Sequence, residues 1–404
     1  MITRPLYLEK LEAYIDKPFI KILVGIRRAG KSSILEQLSD LLIGRGIKSE
    51  QIAYINFDSL EYTDIREKAQ LVELEKKLLK DGVRYFLFDE VQNIDHWDEA
   101  ISALYAEKGV DIYLTGSNSK LLSSELSTFF TGRYVDIFVS TLNFQEYLEF
   151  KKARGVELGD YHTEFKEYLS RGGFPSIAIS DQTPSQDDEE VSDIYTSIIY
   201  RDLVERKNIR NSELLGRVVR FIMDNVGSTL SAKSISDYLK NERLNLSQET
   251  IYKYVNWLEE SLLIRRVKRY DIRGKEHLKT DEKFYLSDVS LLYAINGRSD
   301  SYLPGILENI AYHELIAKGY DVSIGRIGSK EVDFVAEKSG RKMYLQVATK
   351  ISDKATEERE FSALEAIDDN YPKYVITLEE STLGPITRDG IEEINIADFI
   401  MSVL

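Results

Sequence analysis

Five short apolar runs punctuate the first 140 residues: FIKILVGI (19–26), QIAYINFDS (51–59), RYFLFDE (84–90), DIYLTGS (111–117) and YVDIFVS (134–140). Between them lie stretches with apolar residues at helical spacing, among them GKSSILEQLSDLLIGRG and NIDHWDEAISALYAEKG. Near-continuous apolar strands alternating with amphipathic helices predict a parallel sheet covered by crossover helices. From about 141 to 180 the pattern turns helical and stops at the punctuating RGGFP (171–175). The acidic DQTPSQDDEE (181–190) has no large apolar residue and reads as an exposed loop or linker. Helical periodicity resumes through 191–270, and the remainder mixes strand and helix patterns without an internal repeat.

A chain of 404 residues that is 43% hydrophobic is globular and too long for one ordinary core. It has no cysteine, which excludes disulfides, thiolate catalysis and Cys-ligated zinc, and its four histidines are scattered. No run of apolar residues is long enough to cross a bilayer, and the first residues lack a signal-peptide core. The expectation is a cytoplasmic protein without a membrane partner. A net charge of −15 argues against a general nucleic-acid binder, yet residues 201–280 hold 17 Lys+Arg against 11 Asp+Glu. That basic island changes the picture.

The first chemistry lies at the first strand–helix junction. Gly25-x4-Gly30-Lys31-Ser32 matches a phosphate-binding loop, spanning Gly25, Ile26, Arg27, Arg28, Ala29, Gly30, Lys31, Ser32 and Ser33. Its glycines let backbone N–H groups face phosphates at a helix N-terminus, Lys31 reaches the β- and γ-phosphates, and Ser32 ligates Mg²⁺. A second motif, YFLFDE, delivers Asp89 for Mg²⁺ and Glu90 to polarise the attacking water. Ser117 or Asn118, at the end of DIYLTGSNS, is placed to read the γ-phosphate, and Arg133 is a candidate arginine finger for a neighbouring site. With no Asn-Lys-x-Asp motif, ATP is favoured over GTP.

The series GIRRAGKS, YINFD, FLFDEVQNIDHW, LTGSNS, TGRY, LNFQEYLEF and RGGFP resembles a large prokaryotic family of AAA-type (AAA+) ATPases, across essentially the whole chain. The resemblance implies an α/β fold: a P-loop ATPase domain (1–150) with an extra strand between the two motif strands. It also implies a helical lid and linker (151–220), a winged-helix-like domain (221–285) and a restriction-endonuclease-like α/β domain (286–404), whose own residues read as catalytically impaired. For the lid residue that would contact the γ-phosphate, Arg171 and Arg201 are the candidates.

Within the basic island, SAKSISDYL reads as a supporting helix and 247–261 as a reader helix, followed by a two-stranded wing turning at Arg273-Gly274-Lys275. Arg265, Arg266, Lys268, Arg269, Arg273 and Lys275 are candidate phosphate contacts, so duplex DNA through 225–280 is one expected partner. A protein partner and a homo-oligomer are the others. Further on, Glu308, Asp333 and Gln346 occupy the places of metal-binding acids in a nuclease core. A neutral Gln346 and Ala348 in place of a lysine impair that chemistry, with Lys350 one strand period beyond. The expected function is Mg²⁺-dependent ATP hydrolysis coupled to DNA binding or remodelling. The alternative is an ATP-gated oligomerisation or docking switch, and an ATP-regulated nuclease ranks last.

Overall fold

All five N-terminal apolar runs form strands, each shorter than its run: β1 Ile20–Val24, β2 Ile52–Asn56, β3 Tyr85–Asp89, β4 Asp111–Gly116 and β5 Tyr134–Phe138. This is a computed structural model, and it describes residues 2–117, 130, 132–244, 246–277, 282–379 and 387–404. The described residues form two compact units, 1–141 with 260–262, and 142–259 with 263–404.

In the first unit the five strands are parallel in the order β2-β3-β4-β1-β5. β4 therefore lies between the two motif strands, as the resemblance implied. β1, β3 and β4 are buried at every residue, which is why their sequences run apolar rather than alternate. One polar exception is Lys21 in β1, which pairs with the buried Asp111 of β4. All carboxyl ends point to one edge, the edge where open α/β sheets carry their ligands.

The second unit begins with helices. Phe144–Ala153 is held by a capping box between Asn143 and Glu146. Tyr161–Arg171 follows, and then Pro184–Ser197 runs into a π-helical segment, Ile198–Glu205. The 181–190 stretch is thus not a loop: Thr183 and Gln186 form a capping box with Pro184 in the first turn, and the helix starts inside it.

Helices Ala232–Asn241 and Gln248–Glu260 lie in the chain between the first and second strands of a three-stranded sheet, ordered β6 (Thr229–Leu230), β10 (Glu282–Leu286) and β7 (Ile264–Val267). The wing differs from its sequence reading. β8 (Arg269–Asp271) and β9 (Glu276–His277) do pair around the Arg273-Gly274-Lys275 turn. However, β8 pairs with β11 (Asp321–Ile327) and joins the following eight-stranded sheet. Tyr270 and Ile272 pack against that sheet's core, and this draws the hairpin there. The remaining strands are β12 (Lys330–Lys338), β13 (Arg341–Ala348), β14 (Lys373–Thr377), β15 (Thr387–Arg388) and β16 (Ile391–Asn395). Helices Leu303–Ala317 and Lys354–Glu365 flank β11–β13 in the chain. No helix among the described residues is long and apolar enough to cross a membrane.

Candidate nucleotide site and the C-terminal acidic cluster

β1 ends at Val24 and the chain turns through the phosphate loop into helix Lys31–Gly44. The loop's shape depends on its glycines. A Cβ on Gly25 would sit 2.1 Å from the Val139 carbonyl oxygen, and Gly30 has a left-handed φ of +92°. Ile26 and Ala29 are buried anchors, Arg28 and Ser33 are exposed, and Arg27 is half-buried. Gly30 caps the helix with no side-chain bond, so its first N–H groups remain available to an anion. The Lys31 ammonium is buried and donates to the Gly25 and Ile26 carbonyls (3.0 and 3.2 Å), folded back over its own loop.

β3 brings Asp89 and Glu90 to the same edge. Asp89 is fully buried, hydrogen-bonded to the hydroxyls of Thr115 and Ser32. Burial raises its carboxyl above the usual range, against the lowering effect of those hydroxyls and of Lys31. The Tyr54 hydroxyl also donates to it at 3.3 Å. Glu90 adopts a left-handed φ of +56°, an uncommon conformation for a side-chain-bearing residue, and its N–H donates to Thr115 Oγ1 (3.0 Å). Its carboxylate accepts from Gln92 Nε2 and from Ser117 Oγ (3.4 Å). The register Val24↔Gly116 sets Ser117 between the two motif strands. Asn118, the other sensor candidate, lies outside the described residues.

The donor set fits Mg·ATP: an open loop, a lysine held at its mouth, and a serine hydroxyl bonded to a buried carboxylate. Sequence reasoning missed Thr115, Gln92 and Tyr54, which orient the acids, and Arg4. The buried Arg4 guanidinium donates to the carbonyls of Ala29 (2.8 Å), Ser140 (2.9 Å) and Thr141 (3.4 Å). It ties the phosphate loop to the segment after β5.

Arg133 is elsewhere. Ile20 N–H donates to its carbonyl at 2.8 Å, so it enters β5 at the amino edge of the sheet, opposite the phosphate loop. Its exposed guanidinium lies 5.9 Å from the Tyr105 ring centre. The length of the strand thus separates it from its own chain's phosphate loop. In the second unit Arg171 is engaged by Asp187 (2.8 Å), Glu167 (3.3 Å) and Ser180, whereas Arg201 is exposed on the π-helical segment.

The basic island is partly spent internally. Arg266 pairs with Glu259 and Glu282 and reaches Asn256, and Arg265 bonds the Tyr312 hydroxyl. Arg269 is half-buried, while Lys268, Arg273 and Lys275 are exposed.

Glu308 and Asp333 do converge. Their common partner is Lys283 of β10, at 2.8 and 3.2 Å, and Glu331 adds a third carboxylate at 2.8 Å. Gln346 instead accepts weakly from the Asp333 N–H (3.4 Å), and Lys350 pairs with Glu379 (2.9 Å), so it does not restore the missing lysine. Arg326 and Lys330, nearby in sequence, donate to the backbone carbonyls of Gly328 and Ser362.

Residues 17–148 match the AAA domain family, and residues 162–302 match a domain of unknown function (DUF8612). The chain is similar to an uncharacterized protein of Haemophilus influenzae, 38% identical over 406 residues and covering 99% of both chains. It is also similar to an uncharacterized protein of Methanocaldococcus jannaschii, 31% identical over 397 residues, or 93% of this chain and 86% of that one. Among solved structures it is similar to a Walker-type ATPase of Pyrococcus abyssi at 16% identity, with a TM-score of 0.47, over 73% of this chain and 96% of that one.

Proposed function

Starting from a chain that belongs to one family with the Haemophilus and Methanocaldococcus proteins and carries an AAA domain at residues 17–148, we propose that it is an AAA+ P-loop ATPase that binds Mg·ATP at Gly25–Ser32 and hydrolyses it using Lys31, Asp89 and Glu90. The observation that carries this reading is the meeting of Lys31, Ser32, Asp89 and Glu90 at one sheet edge. On binding, Lys31 exchanges two loop carbonyls for phosphate oxygens. Ser32 and Asp89 would hold a magnesium ion, which would supply charge neutralisation at the phosphates. Glu90, steadied by Gln92 and Ser117, accepts the proton of the attacking water.

The output we assign to the C-terminal half. Two helices followed by β7 and β10 support a winged-helix reading, and helix, β11–β13, helix, β14 supports a restriction-endonuclease-like core. Duplex DNA is the partner that Lys268, Arg273 and Lys275 favour. The internal engagement of Arg265 and Arg266 favours the second reading, a docking surface for protein. Steady-state ATP hydrolysis with and without duplex DNA, with Glu90→Gln as the inactive control, separates the two. Glu90→Gln should lose about 10²-fold or more in kcat while still binding ATP. If DNA is the partner, it stimulates the wild type. Contacts from the three exposed cations alone would then make log K fall with log salt at a slope of about −2.7, against about −5.4 for all six. Hydrolysis indifferent to DNA would transfer the output to protein docking.

A further inference from the structure

A nuclease core of the restriction-endonuclease type holds a divalent cation between a helix acid and strand acids. In this chain those acids already surround a cation of their own. Lys283 Nζ lies 2.8 Å from Glu308 Oε1, 2.8 Å from Glu331 Oε1 and 3.2 Å from Asp333 Oδ1. An ammonium has three N–H donors, so three carboxylates saturate it. These are hydrogen-bond separations, whereas Mg²⁺ requires oxygens at about 2.0–2.1 Å in an octahedron.

The surroundings close the cluster further. Asp333 Oδ2 accepts from the Val347 N–H (2.9 Å), and the Tyr285 hydroxyl donates to Glu308. Gly227, with φ +75°, approaches so near that a Cβ there would sit 2.9 Å from Glu308 Oε2. Among the described residues, no group of three or more His, Cys, Asp or Glu is arranged to hold a metal ion. Burial alone would discharge Lys283, but Asp333, Glu308 and Glu331 together outweigh it and hold the ammonium well above its ordinary range.

We propose that the Lys283 ammonium stands in place of the divalent cation, turning a nuclease-type acid set into a metal-independent tie between β10, helix Leu303–Ala317 and β12. The proposal rests on the restriction-endonuclease-like reading of the second unit and is independent of the ATP site. The acids are kept because each satisfies the buried lysine, and removal of the lysine would uncover a latent metal site.

The test is Mn²⁺ binding, read by electron paramagnetic resonance, to the nucleotide-free full-length chain. Wild type and Asp333→Asn should bind the same number of ions. Lys283→Gln should bind one more, and the double variant Lys283→Gln/Asp333→Asn should lose it again. The thermal midpoint of Lys283→Gln should rise with Mn²⁺ while that of the wild type does not. A wild-type Mn²⁺ lost in Asp333→Asn, or Mn²⁺-dependent cleavage of duplex DNA lost in that variant, overturns the proposal. So does a folded Lys283→Gln chain with no added ion. Should Lys283→Gln fail to fold, the comparison of wild type with Asp333→Asn still decides. ATP hydrolysis is measured on the same samples, so failure of the ATPase reading shows separately.

Discussion

Single residues set the tolerances of the nucleotide site. Gly25→Ala must displace the chain at Val139, because a Cβ there would be 2.1 Å from a backbone oxygen rather than from a side chain that can swing away. Overpacking of this kind costs about 1–3 kcal/mol. The expected result is a lowered thermal midpoint, with loss of the further rise expected when ATP is added to the wild type. Glu75 offers a test of pH dependence. It is buried on helix Lys68–Lys80, its Oε1 has no hydrogen-bond partner among the described residues, and burial pushes its carboxyl up to about 8 from 4.5. The folded chain therefore holds a proton that the unfolded chain releases near 4.5. That stabilisation is complete below 4.5 and is lost as the pH rises through about 8. Glu314, raised to about 7, acts in the same direction, so the difference between variant and wild type is the useful quantity. Glu75→Gln should gain about 1–3 kcal/mol over wild type at pH 9 relative to pH 5 in urea denaturation. A difference that does not change with pH would mean that Glu75 is not the buried acid described.

At the scale of elements, what could be read in advance was what the chain encodes locally. The loop Gly25–Ser32 is one continuous turn, and Asp89-Glu90 ends an apolar strand, so neighbouring residues specify both. Thr115, which bonds Asp89 across 26 residues, and Lys283, 25 residues from Glu308 and 50 from Asp333, depend on register between distant strands. A sequence pattern alone does not supply that register. The hairpin β8–β9 shows the same limit: its turn was legible, but the sheet it joins was set by Tyr270 and Ile272 finding a distant core. The stretch 181–190 differs from its sequence reading for another reason. Its low hydrophobicity suits a loop, but Thr183-Pro184-Ser185-Gln186 is a helix start, and burial of Asp187 and Val191 one turn apart gives that helix an inward face. Asp187 is there because Arg171 meets it at 2.8 Å. Thr183→Ala removes half of the capping box, and a loss of about 1 kcal/mol is expected. Urea denaturation with two probes checks it, since a change confined to one phase would place the loss in the second unit.

For the whole molecule, the position of Arg133 decides whether hydrolysis belongs to one chain or to several. The parallel pairing of β5 with β1 starts at Ile20↔Tyr134, so Arg133 enters at the edge where the strands begin, and Lys31 follows the edge where they end. Five residues of strand, about 17 Å, separate those edges, well beyond the reach of an arginine side chain. If Arg133 stabilises the transferring phosphoryl group, it does so in the site of a neighbouring copy, through a heterologous interface in which each chain gives its arginine to the next. Arg133→Ala and Glu90→Gln would then each inactivate for different reasons: the first chain keeps a complete set of acids, and the second keeps the arginine. Mixed in equal amounts and allowed to exchange, they should recover about a quarter of wild-type turnover per chain, the share of sites pairing an intact acid with an intact arginine. The recovery should depend on protein concentration, as assembly requires. If Arg133→Ala alone hydrolyses ATP at the wild-type rate, the arginine has no part in the chemistry and its contact with Tyr105 is structural. If both variants are inactive and the mixture stays inactive, with exchange of labelled chains demonstrated, sharing of the site between copies is refuted.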